Sequence, residues 1–258
     1  MKKQDKLRLS QLREGRRPTK QPRSPNDPQP DLQGILSRLR AMANPKLLEQ
    51  EKRLGIEVKD GLGISIWDLR KIAKEIGRDQ PLAEQLWETG IREARLLAGY
   101  VADPAAISEE TIESWAADFN SWDLVDQVAD AIWLSPFAYK KARQWSRRPE
   151  EFVKRAGFVI MAGLAAMVDD VTNADLEQFL PIIVREATDG RNFVKKAVNW
   201  ALCNIGKRNG VLNRKAIATA KQISKIEDKT AQWIAKDALK ELSGDKLQAR
   251  FKSKRGKP

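Results

Sequence analysis

Beyond residue 30, apolar positions recur at helical spacing along almost the whole chain, and no stretch keeps the strict alternation of a half-buried strand. Residues 32–42 and 45–54 form a short pair of predicted helices. Gly61-Leu62-Gly63 then breaks the chain ahead of a helix capped near Ser65. In that helix Ile66, Leu69, Ile72, Ala73 and Ile76 make the inward stripe, into which Trp67, Arg70, Lys71 and Lys74 do not all fit. Residues 81–89, stopped by Gly90, and 91–101, ending before Asp103-Pro104, predict two more. Ser108 with Glu109 and Glu110 opens another through Phe119. Further helices are predicted from the Ser121 cap to about residue 134, over 137–145, and from Pro149 to about residue 168. The last is apolar nearly all round and should be central. Residues 174–188, 192–207, 213–226 and 228–242 complete the set.

These helix pairs return at intervals of roughly 35–45 residues, the period of stacked helical repeats. The fold expected is all-α: a right-handed superhelical stack of antiparallel helix pairs, an α-solenoid of the HEAT-like or armadillo-like kind. Residues 31–244 would form it. Residues 1–30, with five prolines and little to bury, read as a disordered basic arm, and residues 245–258 as a basic, disordered tail.

Composition narrows the chemistry. The 258 residues are 41% hydrophobic, enough for a substantial core. One cysteine, Cys203, excludes an intrachain disulfide, and the lack of histidine removes the commonest metal ligand and general base. Zinc sites, Cys-His dyads and Ser-His-Asp triads are excluded, leaving acid-base work to carboxylates, lysine, tyrosine or water. No apolar run approaches the ~20 residues that span a bilayer, so a soluble, cytoplasmic protein is expected.

The net charge of +12 resides mostly in the two ends, where residues 1–30 carry nine Lys/Arg against three acids and residues 245–258 six against one. Between them the chain is polarised. Residues 79–130 hold twelve acids against Arg92 and Arg95, whereas residues 140–155 hold seven bases to two acids and residues 185–215 eight to two. The basic segments would track phosphates if they shared a face, or could pair with the acidic segment as solvated helix faces.

Several side chains are candidates for chemistry. Trp122 and Asp126 stand four residues apart on one face of the Ser121-capped helix, with Asp123 in its first turn, where the helix dipole favours a carboxylate. Taken alone, a solvated surface charge accounts for Asp126. Of eight tryptophans, Trp87, Trp115, Trp133 and Trp233 fall in apolar stripes and should be core, leaving Trp67, Trp122, Trp145 and Trp200 unassigned. Trp200 has Lys196 and Lys207 on or near its face. Arg155, beside Lys154 in an otherwise apolar helix, needs either a structural partner such as Asp126 or a phosphate.

The segments R-L-G-I, G-I-S-I-W-D-L-R-K, L-W-E-T-G-I-R-E-A-R, S-W-D-L-V-D, F-V-K-R-A and F-V-K-K-A-V-N-W-A-L, in that order between residues 47 and 242, resemble the AlkD-like family of HEAT-like-repeat DNA glycosylases. The resemblance implies excision of N3- and N7-alkylated purines from double-stranded DNA by a monomer, with no metal, organic cofactor or base-flipping pocket. It makes Asp126 the catalytic carboxylate, Trp122 and Trp200 the aromatic pair at the deoxyribose, and Arg155 the phosphate partner. Lys154, Lys196 and Lys207 join them as DNA-binding candidates. Two positions depart from the family pattern: Ser121 where a second tryptophan often stands, and Cys203 where an arginine does. Some members bind DNA without excising bases, so a non-catalytic HEAT-like protein for distorted or branched DNA is the alternative.

Overall fold

The structure is a computed structural model that describes residues 31–255; the arm expected over residues 1–30 lies outside the described residues. Every regular element in them is a helix. They are α1 (Leu32–Ala41), α2 (Pro45–Arg53), α3 (Ile66–Ile76), α4 (Gln80–Glu88), α5 (Arg92–Val101), α6 (Glu109–Ala117), α7 (Trp122–Trp133), α8 (Ala138–Trp145), α9 (Glu151–Met167), α10 (Asn173–Glu177), α11 (Leu180–Arg185), α12 (Asn192–Arg208), α13 (Gly210–Ile223), α14 (Lys229–Leu242) and α15 (Asp245–Arg255). Many starts carry the caps their sequences promise. Asp31, Asn44, Ser65, Asp79, Ser108, Asn209 and Asp228 each accept backbone N–H groups of the following turn, and Thr172 with Asp175 closes a capping box. Among the described residues no helix is long and apolar enough to cross a membrane.

The chain divides into two compact units at Pro136–Phe137. In the N-terminal unit α5 packs between α3 and α7, with α4 and α1 against it. Its core holds Leu69, Ile72, Leu86, Leu96, Leu97, Val125 and Val128, and Trp87 stacks on Trp115 at 4.4 Å between ring centroids. Gly99 lets α5 approach α7, because a Cβ there would lie 2.9 Å from the Val128 Cα. In the C-terminal unit α9 packs on α8 and α12, and α12 in turn on α13 and α14. Twelve of the thirteen residues over 153–165 in α9 are buried, as its nearly all-round apolar sequence predicts.

Three expectations are corrected. The single helix predicted over residues 174–188 is two, α10 and α11, because Pro181 in the first turn of α11 has no N–H to continue the ladder from α10. The stretch from residue 245, expected to be disordered, is helical to residue 255. Phe251 is buried, and Gln248 Nε2 donates to the Leu242 carbonyl at 2.6 Å, so one apolar anchor and one cap dock this charged segment. Trp233, expected in the core, is 40% exposed.

Gly157 is the tightest point between α8 and α9: an added Cβ would sit 2.6 Å from the Ser146 amide nitrogen and 3.1 Å from the Trp145 carbonyl carbon. Those atoms are backbone and cannot swing aside. Gly157→Ala is therefore expected to destabilise by about 1–3 kcal/mol, read as a lower urea midpoint with an unchanged slope. A wild-type midpoint would show that the two helices have slack.

Candidate DNA-contact site

In the N-terminal unit, α7 carries Trp122 and Asp126 on one face. Ser121 occupies the N-cap position in extended conformation, but its hydroxyl makes no capping bond and is buried without a hydrogen-bond partner. What anchors the start of α7 is Asp123. Asp123 lies in the first turn, as expected, and is also 1% exposed and ion-paired to the Arg92 guanidinium at the start of α5. The same guanidinium lies 3.0 Å from Glu93 and 3.3 Å from Glu51 of α2. Glu93 also accepts the backbone N–H groups of Leu62 at 2.7 Å and Gly63 at 2.9 Å, which ties the loop before α3 into the cluster. Burial works against the Arg92 charge, but Asp123, Glu51 and Glu93 outweigh it and hold its pKa above the ordinary value. Burial pushes Glu51 up to about 7, with Glu93 and Asp123 adding to the rise and Arg92 opposing it.

This cluster also positions the indole of Trp122. Its Nε1–H donates to the Leu54 carbonyl at 3.1 Å, at the C-cap of the helix that carries Glu51. Asp126 is 3% exposed, which replaces the solvated surface charge with a buried carboxylate. The next residue, Gln127, accepts from Arg70 Nη2 at 3.1 Å and from the Tyr100 hydroxyl at 2.7 Å, holding α7 to α3 and α5. Burial raises the Tyr100 pKa, so the phenol keeps the proton it donates.

In the C-terminal unit, Arg155 of α9 is 2% exposed, and its Nη1 donates to the Phe193 carbonyl of α12 at 2.8 Å. Lys154 binds Glu186 at 2.7 Å and Asp189 at 3.2 Å. Burial opposes the Asp189 charge, yet Arg191 and Lys154 hold its pKa below the usual carboxylate value. On α12, Lys196 is exposed, Trp200 is half-buried, and Lys207 pairs with Glu241 at 2.9 Å. Cys203 points inward, is 1% exposed, and directs its thiol at Asn199 Oδ1 at 3.8 Å; burial raises its pKa well above normal. Trp145, unassigned from sequence, is wholly buried, whereas Trp233 lies under the Lys195 ammonium, 5.3 Å from its ring centroid.

Residues 35–242 match the family model described as DNA alkylation repair enzyme. The chain belongs to that family. A solved structure described as belonging to a new family of proteins related to the HEAT-like repeat DNA glycosylases, with affinity for branched DNA structures, aligns with a TM-score of 0.69 at 24% identity, covering 80% of this chain and 93% of that one. It shows the HEAT-like helical fold. A designed armadillo repeat protein aligns at 18% identity over 92% and 98% of the two chains, but its TM-score of 0.39 carries no argument. No curated protein shows significant sequence similarity to the chain.

Sequence reasoning placed Trp122 and Asp126 together on one helix and missed the cluster beneath them. Its signal was present: Arg92 and Arg95 are the two bases in the acidic run of residues 79–130, and both bind carboxylates, Arg95 reaching Asp118 at 2.9 Å. Glu51 makes the cluster sensitive to pH. Its folded pKa of about 7 exceeds the ordinary 4.5, so the native state binds this proton more tightly than the unfolded chain. The resulting stabilisation is complete below 4.5 and lost as pH rises through 7. Glu51→Gln keeps a neutral group there, so its melting temperature relative to wild type should climb between about pH 5 and pH 8. A pH-independent offset would mean that Glu51 does not titrate in this range.

Proposed function

We propose that the protein is a monofunctional DNA glycosylase that hydrolyses the N-glycosidic bond of N3- and N7-alkylated purines in double-stranded DNA, acting as a monomer. The carrying observation is the family match over residues 35–242 around a buried carboxylate, Asp126, one helical turn from an indole anchored at Leu54. An alkylated purine is already cationic, so the bonding electrons of C1′–N leave with the base and neutralise it. No proton donor is needed, and a chain without histidine is not handicapped. Positive charge develops on the sugar as an oxocarbenium ion, and a fixed carboxylate beside it stabilises that charge. Water then adds to C1′ and gives up a proton, for which Asp126 is the acceptor we assign. The route calls on no metal or organic cofactor.

Trp122 and Trp200 are assigned to the deoxyribose and the cationic nucleotide, where an aromatic face attracts positive charge. Arg155, Lys154, Lys196 and Lys207 are assigned to the DNA backbone. Lys196 is exposed on α12. Cys203, where the family pattern has an arginine, is buried and contributes no such contact.

The second reading is a non-catalytic HEAT-like protein that binds distorted or branched DNA. It is favoured by the structural neighbour with affinity for branched DNA and by the departures at Ser121 and Cys203. Release of free base from DNA carrying N7-methylguanine separates the two. Under the first reading Asp126→Asn lowers the excision rate on the order of a hundredfold or more while DNA affinity stays close to wild type. Folded, DNA-bound protein that releases no base above the spontaneous rate would establish the second reading instead.

A further inference from the structure

α3 presents a face that the proposed excision site does not use. Leu69, Ile72, Ala73 and Ile76 are buried, while Trp67, Lys71 and Lys74, spaced i, i+4 and i+7, form an exposed stripe about 10 Å long. Trp67 is 45% exposed, whereas Trp87, Trp115, Trp133 and Trp145 are buried. The Arg70 guanidinium lies beside the stripe, 5.8 Å from the Trp67 ring centroid and 5.5 Å from that of Tyr100. Its Nη2 donates to Gln127, the residue that follows Asp126. Lys71 pairs with Asp68 at 2.8 Å but keeps 73% of its side chain open.

A solvated charged face accounts for Lys71 and Lys74. It does not account for an indole among them, since an aromatic ring left in water forgoes the burial that makes such residues stabilising. A flat ring flanked by cations matches a nucleotide well: the π-face meets a base and the ammonium groups meet phosphates. A base paired and stacked within a duplex does not offer its face; one outside the stack does.

We propose that Trp67 stacks on an unpaired base of bound DNA while Lys71 and Lys74 hold the adjoining phosphates. The Arg70–Gln127 hydrogen bond links this platform to α7 and sets its place relative to Asp126. The inference rests on the DNA-binding reading above and extends it from duplex to unpaired nucleotides.

The test measures the affinity of full-length protein for a blunt duplex and for the same duplex carrying a short bulge of unpaired thymidines, across a salt series. Wild type should favour the bulged DNA by about tenfold, the scale of one base stack. Trp67→Ala should bring that ratio close to one, and Trp67→Phe should restore most of it. Lys71→Ala/Lys74→Ala should weaken both DNAs together and flatten the salt dependence by about two phosphate contacts. If wild type binds both DNAs and Trp67→Ala keeps the wild-type ratio, this inference falls and the DNA-binding reading stands. If wild type binds neither at moderate salt, both fall. Trp67 is substantially exposed, so its replacement leaves the core intact.

Discussion

Arg92 places one positive charge among three buried carboxylates contributed by α2, α5 and α7, and the N-terminal unit is arranged around that imbalance. Burying ions costs several kcal/mol each unless attraction and hydrogen bonds compensate. Here compensation is uneven. Glu93 gains two backbone N–H donors, Asp123 gains the guanidinium, and Glu51 retains a proton up to about pH 7. The geometric result is a corner where the end of α2, the loop before α3 and the start of α7 are held together. Trp122 stands at that corner with its indole N–H on the Leu54 carbonyl. Its orientation thus follows from a buried charge cluster and not from a local cap, since the Ser121 hydroxyl makes no capping bond.

The C-terminal unit solves its packing differently. α9 is apolar nearly all round and approaches α8 through Gly157, so close contact replaces a charge cluster. Most of its prominent cations are engaged at the margins: Lys154 with Glu186 and Asp189, Lys207 with Glu241, and Lys215 with Glu177. Pairing with acids therefore accounts for Lys154, Lys207 and Lys215, and their partners are carboxylates of the same unit, not of the acidic segment over residues 79–130. Partly exposed pairs contribute little stability, so a phosphate competing for Lys207 meets only a modest barrier. Lys196 is exposed on α12.

Helices, their caps and much of the core were legible in the sequence because they depend on residues within a few positions of each other. The stripe of α3, the Ser65 and Ser108 caps and the central character of α9 all follow from such spacing. Trp233 shows the limit: its stripe predicts a buried face, but a face is buried only where another helix covers it, and the ring meets Lys195 instead. α15 shows the reverse, a charged segment docked by Phe251 and Gln248.

For the candidate site, the sequence alone determined that Trp122 and Asp126 share a face, because one helical turn separates them wherever the helix lies. It also determined, through composition, that any acid-base chemistry would proceed without histidine. Tertiary structure decided the rest: that Asp126 is buried, that Asp123 serves Arg92, that Cys203 faces inward, and that Trp67 stays open beside Lys71 and Lys74. Burial and charge pairing are set by groups that lie tens of residues apart, such as Glu51, Arg92 and Asp123, and only folding brings those groups within reach of one another.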